Sequence, residues 1–200
     1  MKKIAMFGGT FNPIHMGHLN IAEGFLKGLG LDKIIFVPTS IPPHKSYEGN
    51  VSAYDRFKMC ELATENFAKF EVSDIEINRD GPSYTVTSLE KFHNIYPNDE
   101  IYLIVGADMF LTLQSWYKAD NIFKLAIVCV APRDDIDIKI LCDHAQKLGK
   151  LGARTRIVNV PLFNISSTEV RDKARLGKKL DGLVPKNVEE YIYEKKLYME

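Results

Sequence analysis

The stretch KIAMFGGTFNPIHMGHLNIAEGFLKGLG, residues 3–30, decides the fold. It opens with a short apolar run, Lys3 to Phe7, passes through a glycine pair, and from His18 onward repeats apolar residues at helical spacing. This order predicts a strand, a loop and a helix, with Gly30 ending the helix. The next apolar run, Lys33 to Val37, is continuous, which predicts a parallel strand covered on both faces.

The alternation of strand and helix patterns continues to the end of the chain. Apolar runs predict strands at 70–77 (a strand or a bent pair), 101–105, 125–131 and 156–160; helical patterns predict helices at 52–65, 83–95, 136–148, after Ser166 and at 185–195. Ser52, Ser83 and Ser166 are predicted to cap three of these helices. We therefore expect an α/β fold, namely a doubly wound, Rossmann-like parallel sheet with helices on both faces. Residues 1–200 are expected to form a single domain, with a small helical part from about 165 to 200.

The composition is that of a soluble globular protein, with 46% apolar and 26% charged residues. The longest apolar run, Leu125 to Ala131, is too short to span a bilayer, and the first residues lack a signal-peptide pattern, so we expect a cytoplasmic protein. The chain has 26 basic and 26 acidic residues, which argues against nucleic-acid and membrane partners. Cys60, Cys129 and Cys142 form no CxxC pair and are expected to be reduced, mostly buried thiols.

The loop after the first strand has features of a phosphate site. Glycines permit close approach of the backbone, and a helix start directs N–H groups at an anion. The glycines match neither a Walker A loop nor a GxGxxG fingerprint. His15 and His18 can share one helix face and donate hydrogen bonds to phosphoryl oxygens. Two alternatives stay open, a helix cap with a surface histidine and a metal pair, although no third ligand is local.

A second helix start carries similar chemistry near the end of the chain. The segment ISSTEVR, residues 165–171, places hydroxyls, backbone N–H groups and Arg171 within one turn, and such groups bind phosphate oxygens. A plain capping box is the alternative. Basic residues crowd positions 171–179, and a solvated helix face is an equally ordinary interpretation of that run.

These two segments together resemble the nucleotidyltransferase superfamily. The first, GGTFNPIHMGH at 8–18, resembles its (H/T)xGH signature, and ISSTEVR resembles its ISSTxxR motif. PPHK at 42–45, GPSYT at 81–85 and IVGAD at 104–108 followed by Trp116 extend the resemblance over the whole chain, and are most similar to bacterial nicotinate mononucleotide adenylyltransferases. The arginine of that family after the fifth strand is matched by Arg133, although RPG is replaced by Arg133-Asp134-Asp135.

The resemblance implies transfer of AMP from ATP to nicotinate mononucleotide, with Mg²⁺ accompanying ATP. It implies catalytic roles for His15 and His18. It implies ATP or phosphate binding by Gly8, Gly9, Thr10, Phe11, Lys45, Arg133, Ile165, Ser166, Ser167 and Arg171. It implies binding of nicotinate mononucleotide by Tyr84, Thr85, Asp108 and Trp116, and no resident metal.

Two other functions remain as alternatives. Phosphopantetheine adenylyltransferases share the two end motifs, but are typically shorter and lack the SYT and GAD…W segments. A non-catalytic adenine-nucleotide-binding module would not need both histidines. The oligomeric state stays open, a homo-oligomer included.

Overall fold

The computed structural model describes residues 1–40, 51–79, 81–132, 138–161 and 163–199. Its strands are β1 (Lys3–Gly9), β2 (Lys33–Pro38), β3 (Phe70–Val72), β4 (Glu100–Val105), β5 (Ile127–Val130) and β6 (Arg154–Ile157). Its helices are α1 (Met16–Leu29), α2 (Ala53–Thr64), α3 (Thr85–Ile95), α4 (Ala107–Leu111), α5 (Ala119–Leu125), α6 (Ile138–Lys150), α7 (Ser167–Arg175) and α8 (Lys186–Glu194), with a short 3₁₀ helix at Leu113–Ser115.

The strands form one sheet in the order β3-β2-β1-β4-β5-β6. β1 pairs in parallel with β4, with Phe7 opposite Ile104, and β4–β5 and β5–β6 are parallel too. The predicted Rossmann-like parallel α/β fold is thereby confirmed. The strand order reverses between β1 and β4, and in open α/β sheets ligands bind at the carboxyl ends of the strands flanking such a reversal.

The central strands are apolar throughout because both of their faces are covered. In β1, Ile4, Ala5 and Met6 are each at most 1% exposed, and residues 34–38 of β2 are buried too. This burial confirms the interpretation of the continuous apolar run of β2. β6 is the strand at the edge of the sheet, and its residues alternate between exposed and half-buried.

The chain divides into two compact units. The first comprises Met1–Gly8, Ile21–Ile35 and Tyr84–Pro161, and the second comprises Gly9–Asn20, Phe36–Ser83 and Leu162–Glu200. Within the second unit α8 is attached to α2, because the Tyr191 hydroxyl donates to Asp55 Oδ1 at 2.9 Å and Asn187 Nδ2 donates to the Leu62 carbonyl at 2.7 Å. The expected single domain with a helical end stays a prediction.

Several predicted boundaries are wrong, for identifiable reasons. The strand predicted at 70–77 ends at Val72 and turns follow it. The helical segment 107–125 was not predicted, because the N-termini of α4 and α5 have no side-chain cap to mark them. Leu125 therefore ends α5 rather than beginning a strand, and β6 lies at 154–157 instead of 156–160.

Of the residues predicted to begin helices, some take the predicted position and others do not. Ser52 forms a reciprocal capping box with Asp55, as predicted. Ser83 does not cap α3, since its hydroxyl accepts a hydrogen bond from the Ser40 N–H at 3.2 Å, and Tyr84 is the N-cap. Pro185 is the N-cap of α8 rather than its first residue.

The three cysteines are free thiols, with Cys60 and Cys129 buried and Cys142 exposed, which agrees with the prediction. Burial raises the pKa of Cys129 to about 12, so this thiol stays protonated. None of the helices among the described residues has the length and apolar character needed to cross a membrane.

Close packing of α1 in the first unit depends on Gly24. A Cβ at this position would lie 2.4 Å and 2.6 Å from the two Val160 methyl carbons and 3.0 Å from Val160 Cβ, so a rotamer change cannot relieve the overlap. Gly149 in α6 is a helical glycine whose Cβ would meet nothing within 4 Å.

We predict opposite effects of alanine at these two glycines. Gly24→Ala should lower the free energy of unfolding by about 1–3 kcal/mol through overpacking. Gly149→Ala should raise it by about 0.5–1 kcal/mol through helix propensity. Urea unfolding of both variants measures the difference, and a stabilised Gly24→Ala protein would contradict the packing.

Candidate functional site

The β1 loop, defined here as residues 10–15 between β1 and α1, is held by three side chains that donate hydrogen bonds to its backbone carbonyls. Arg56 Nη1 donates to the Thr10 carbonyl at 2.7 Å, Arg171 Nη1 to the Asn12 carbonyl at 2.9 Å, and Ser167 Oγ to the Pro13 carbonyl at 2.9 Å. The last two donors are more than 150 residues from their acceptors in sequence. The loop conformation therefore depends on α2 and α7 of the same unit.

Arg56 is fully buried and was missed as a functional residue in the sequence. Besides Thr10, its guanidinium donates to the Ser40 carbonyl at 3.3 Å. A signal was present, because Arg56 lies on the same face of α2 as Met59, Cys60 and Ala63, which are all buried. An arginine within an apolar helix stripe needs internal acceptors, and here backbone carbonyls supply them.

His15 and His18 form the N-terminal cap of α1. The His15 carbonyl accepts the first helical bond, from the His18 N–H at 2.9 Å, and the His15 N–H donates to His18 Nδ1 at 3.2 Å. This bond is one half of a capping box, with an imidazole in place of the carboxylate that usually accepts from the N-cap N–H. Because Nδ1 of His18 accepts, the proton of its neutral ring lies on Nε2.

The two imidazoles stack on each other, with ring centroids 3.7 Å apart and an interplanar angle of 30°. Gly17 makes this possible, since a Cβ there would lie 3.0 Å from His15 Nδ1. His15 is buried, and its Nδ1 has no hydrogen-bond partner among the described residues. The spacing His-x-Gly-His therefore has a packing reason as well as a chemical one.

Both histidines are neutral at pH 7. Burial lowers the pKa of His15 to about 4, with a partial opposing effect of the Glu169 carboxylate. Burial and the adjacent His15 lower the pKa of His18 well below its usual range. Each ring can therefore donate a single N–H without bringing a positive charge.

Gly9 has a packing role in addition to the predicted one. A Cβ at Gly9 would lie 2.9 Å from the Phe11 ring, so the absence of a side chain there makes room for that ring. Phe11 itself is buried, has a φ of 47° and packs edge-on against His18 at 5.1 Å. Its side chain orients His18, and only its backbone can face a ligand. Gly8 is exposed, and a Cβ there would make only an ordinary contact.

The start of α1 leaves fewer backbone N–H groups open to a ligand than the sequence predicts. The Met16 N–H donates to the Leu183 carbonyl at 2.8 Å, and the His15 N–H is used by His18. The expectation of several open N–H groups at this helix start is therefore wrong for these two. The C-terminal segment uses one of them because Leu183 packs beside the loop within the second unit.

The start of α7 carries both capping and binding groups. Ser166 Oγ accepts from the Glu169 N–H at 3.1 Å, which leaves its own hydroxyl proton to donate. Ser167 uses its hydroxyl proton on Pro13, and the Ile165 N–H donates to the Phe163 carbonyl at 2.8 Å. The Ser167 hydroxyl and the Ile165 N–H thus have partners within the protein, whereas the Ser166 hydroxyl keeps a proton to donate. Phosphate binding by these three residues stays a prediction.

The basic run after Ser167 divides into two groups. Arg171 turns to the β1 loop and donates to Asn12 and to Thr168 Oγ1, so two of its five N–H groups are used and the other three make no hydrogen bond with the described residues. Lys173 and Arg175 pair with Glu169 and Asp172 on the exposed face of α7. The interpretation of a solvated helix face holds for these two residues.

Predicted acceptor-binding residues lie in the first unit. Parallel pairing of β1 with β4 brings Gly8 to the carboxyl end of β4, at the point where the strand order reverses, and Asp108 follows as an exposed residue of α4. Tyr84 and Thr85 begin α3, where no side chain caps the helix start. Trp116 is half-buried.

Tyr117, which follows Trp116 in the sequence, forms an aromatic pair with Tyr84. The Tyr84 and Tyr117 rings lie 4.5 Å apart, and Lys118 Nζ lies 5.4 Å from the Tyr117 ring centroid. Tyr84 thus contacts the residue next to Trp116, which supports a shared role for the start of α3 and this turn.

Lys45 and Arg133 lie outside the described residues. Within the described part of the chain, no three His, Cys, Asp or Glu side chains cluster as metal ligands would.

Comparison with known proteins gives consistent matches. A family model described as cytidylyltransferase-like matches residues 6–173. A Caldicellulosiruptor bescii protein named "Probable nicotinate-nucleotide adenylyltransferase" is 40% identical, covering 98% of each chain. A Clostridium tetani protein of the same name is 39% identical over 99% of this chain and 100% of its own.

A solved structure agrees with the fold. The Plasmodium falciparum nicotinic acid mononucleotide adenylyltransferase complexed with NaAD has a TM-score of 0.80, covering 99% of this chain and 98% of its own. Its sequence identity is 20%, so this likeness bears on the fold alone.

We predict a pH dependence of stability from His15. Its pKa is about 4 in the folded protein and 6.5 ordinarily, so the unfolded chain takes up a proton first as the pH falls. The free energy of unfolding therefore keeps the full contribution of neutral His15 above pH 6.5. It falls between about pH 6.5 and 4, by about 3 kcal/mol at most. Urea unfolding of wild type and His15→Gln across this range should give a shallower slope for the variant, and parallel curves would refute the lowered pKa.

Proposed function

The chain belongs to the cytidylyltransferase-like family of nucleotidyltransferases, and we propose that it transfers AMP from ATP to nicotinate mononucleotide, forming deamido-NAD and pyrophosphate. The predicted family resemblance is confirmed by the matches. The observation that carries the substrate assignment is the name shared by relatives 40% and 39% identical over nearly the whole chain. The β1 loop, with two guanidiniums and two neutral imidazoles, supports binding of a triphosphate beside it.

The proposed reaction is a direct displacement at phosphorus. A phosphate oxygen of nicotinate mononucleotide attacks the α-phosphorus of ATP, the bond to the bridging oxygen breaks, and pyrophosphate leaves with the bonding electrons. No covalent enzyme intermediate forms. Such a reaction asks the protein to position two anions and to stabilise charge on the phosphoryl oxygens.

His18 is suited to stabilise that charge. Its Nδ1 is used by the helix cap, so its Nε2–H is the donor, and Phe11 and His15 hold the ring from two sides. A neutral donor held in place needs no reorganisation when charge develops in the transition state. His15 stacks directly on it, and we assign both histidines to the triphosphate.

Arg171 and Ser166 are proposed to hold phosphate oxygens. Arg171 keeps three N–H donors beyond those on Asn12 and Thr168, and a guanidinium binds phosphate in a bidentate manner. Lys45 and Arg133 keep the phosphate-binding roles that the family resemblance implies. Gly8, Gly9, Thr10 and Phe11 would contribute backbone rather than side chains.

Mg²⁺ is proposed to enter as MgATP, hence as part of a substrate. The described residues offer no cluster of three metal-binding side chains, so the ligands we propose are phosphate oxygens and water. When bound, the ion neutralises charge on the phosphates. A cytoplasmic location is also proposed, and the free thiols support it.

The acceptor is proposed to bind at the start of α3 and at Trp116. Because no side chain caps α3, the backbone N–H groups near Thr85 suit the nicotinate carboxylate. Trp116 is half-buried, which leaves part of its ring to stack on the nicotinate ring. Asp108, exposed on α4, can accept hydrogen bonds from ribose hydroxyls.

Substitutions at His18 separate capping from catalysis. His18→Asn keeps an acceptor near the Nδ1 position for the His15 N–H but removes the Nε2–H donor, so kcat should fall ~10²–10³-fold with little change in stability. His18→Ala should lose similar activity and, in addition, about 1 kcal/mol of cap stability. Steady-state kinetics and urea unfolding measure both, and near-normal kcat in His18→Asn would reduce His18 to a capping residue.

Acceptor choice tests the substrate assignment. Replacing the nicotinate carboxylate by an amide turns an NH₂ group toward backbone donors and leaves a buried donor unpaired, at a cost of about 1–3 kcal/mol. Nicotinate mononucleotide should therefore exceed nicotinamide mononucleotide by at least ~10-fold in kcat/KM. Pyrophosphate release with ATP and each acceptor measures this ratio.

Trp116→Ala is the companion variant in that assay. Stacking ignores the ring substituent, so it should weaken both mononucleotides alike. Equal use of the two acceptors by wild type, or faster use of phosphopantetheine, would overturn the substrate assignment.

A further inference from the structure

The chain beyond α8 is packed rather than frayed. Leu197 and Tyr198 are 4% and 6% exposed, and the Leu197 N–H donates to the Ile192 carbonyl at 2.9 Å. Lys196 and Tyr198 have φ values of 52° and 66°, a region that residues with side chains rarely adopt. Surrounding contacts must hold two such residues in place, whereas chain ends are commonly loose.

A hydrogen bond connects the segment after α8 to the β1 loop. The Tyr198 hydroxyl donates to Asn12 Oδ1 at 2.7 Å, across 186 positions of sequence within the second unit. Burial raises the pKa of Tyr198, so the hydroxyl keeps its proton and remains a donor. The hydrogen bond is thus partly buried, with its donor ring in the interior and its acceptor on the half-buried Asn12.

Asn12 is held at two atoms at once. Its backbone carbonyl accepts from Arg171 and its side-chain carbonyl accepts from Tyr198. It follows Phe11, whose φ of 47° is unfavourable unless its neighbours constrain it. The loop that carries His15 therefore has, besides its anchors in α2 and α7, a further anchor at Tyr198.

We propose that the Tyr198 hydroxyl is a positioning group for adenylyl transfer, which fixes the β1 loop through Asn12 in the conformation that receives the triphosphate. This inference rests on the proposed function. Tyr198 acts through Asn12 and the loop, whose small displacements change the alignment of His15 and His18 with the phosphates. Misplacement of reacting groups by an ångström can lower rates by two orders of magnitude.

The test is Tyr198→Phe, which keeps the ring and removes the hydroxyl. Its matched control is Tyr193→Phe, since the Tyr193 hydroxyl donates to the Lys178 carbonyl in the same C-terminal part instead of to the β1 loop. Tyr198→Phe should lower kcat ~10–100-fold, with the KM for nicotinate mononucleotide nearly unchanged. Tyr193→Phe should keep kcat within about 2-fold, while both variants show similar shifts in melting temperature.

A double-mutant cycle shows whether the effect passes through Asn12. Asn12→Ala should lose activity like Tyr198→Phe, and the double variant should lose no more than the stronger single one. Additive losses in the cycle would overturn the proposal. So would a loss of kcat in Tyr198→Phe no larger than in Tyr193→Phe.

Binding of MgATP, measured by calorimetry without an acceptor, separates this inference from the proposed function. If wild type releases no pyrophosphate with nicotinate mononucleotide, the proposed function fails. The affinity for MgATP alone then decides whether Tyr198 positions the loop. A dissociation constant ~3–10-fold weaker in Tyr198→Phe but not in Tyr193→Phe would then support positioning of the loop. Equal affinities of the two variants would refute it.

Discussion

The backbone carbonyls of the β1 loop depend on three side-chain donors, and the candidate site depends on this arrangement. Arg56, Arg171 and Ser167 each take one carbonyl, at Thr10, Asn12 and Pro13. A loop with its carbonyls turned to these donors keeps its oxygen atoms away from an incoming phosphate. The same bonds bring two positive charges close to the loop, so one set of contacts provides both shape and charge complementarity.

The helix cap and the proposed catalytic donor are parts of one structure. His18 Nδ1 accepts from the His15 N–H, and this bond settles which nitrogen of His18 carries the proton. Gly17 gives the His15 ring its space, and Phe11 holds His18 from the other side. Capping and catalysis are competing interpretations of the sequence, but here the cap fixes the ring in the orientation that the proposed catalytic role uses.

Distant contacts explain what the motifs alone could not reveal. The glycine pair suggests close approach of a ligand, and the structure adds that Gly9 makes room for the Phe11 ring. The start of α1 suggests open amides, yet Leu183 accepts from the Met16 N–H. Ser83 has the sequence of a cap, yet it bonds Ser40 and leaves α3 without a side-chain cap, which suits the proposed carboxylate site.

The sequence by itself determined the parallel α/β class, the family and the order of strands and helices apart from α4 and α5, because apolar periodicity and short motifs are local properties of the chain. It also brought His15, His18 and Arg171 forward as functional candidates. Only the tertiary structure decided the parts played by Arg56, Asn12 and Tyr198. Arg56 acts through a buried guanidinium, and Tyr198 through a bond across 186 positions. Such contacts depend on how helices and loops pack against each other, and residue spacing along the chain does not predict them.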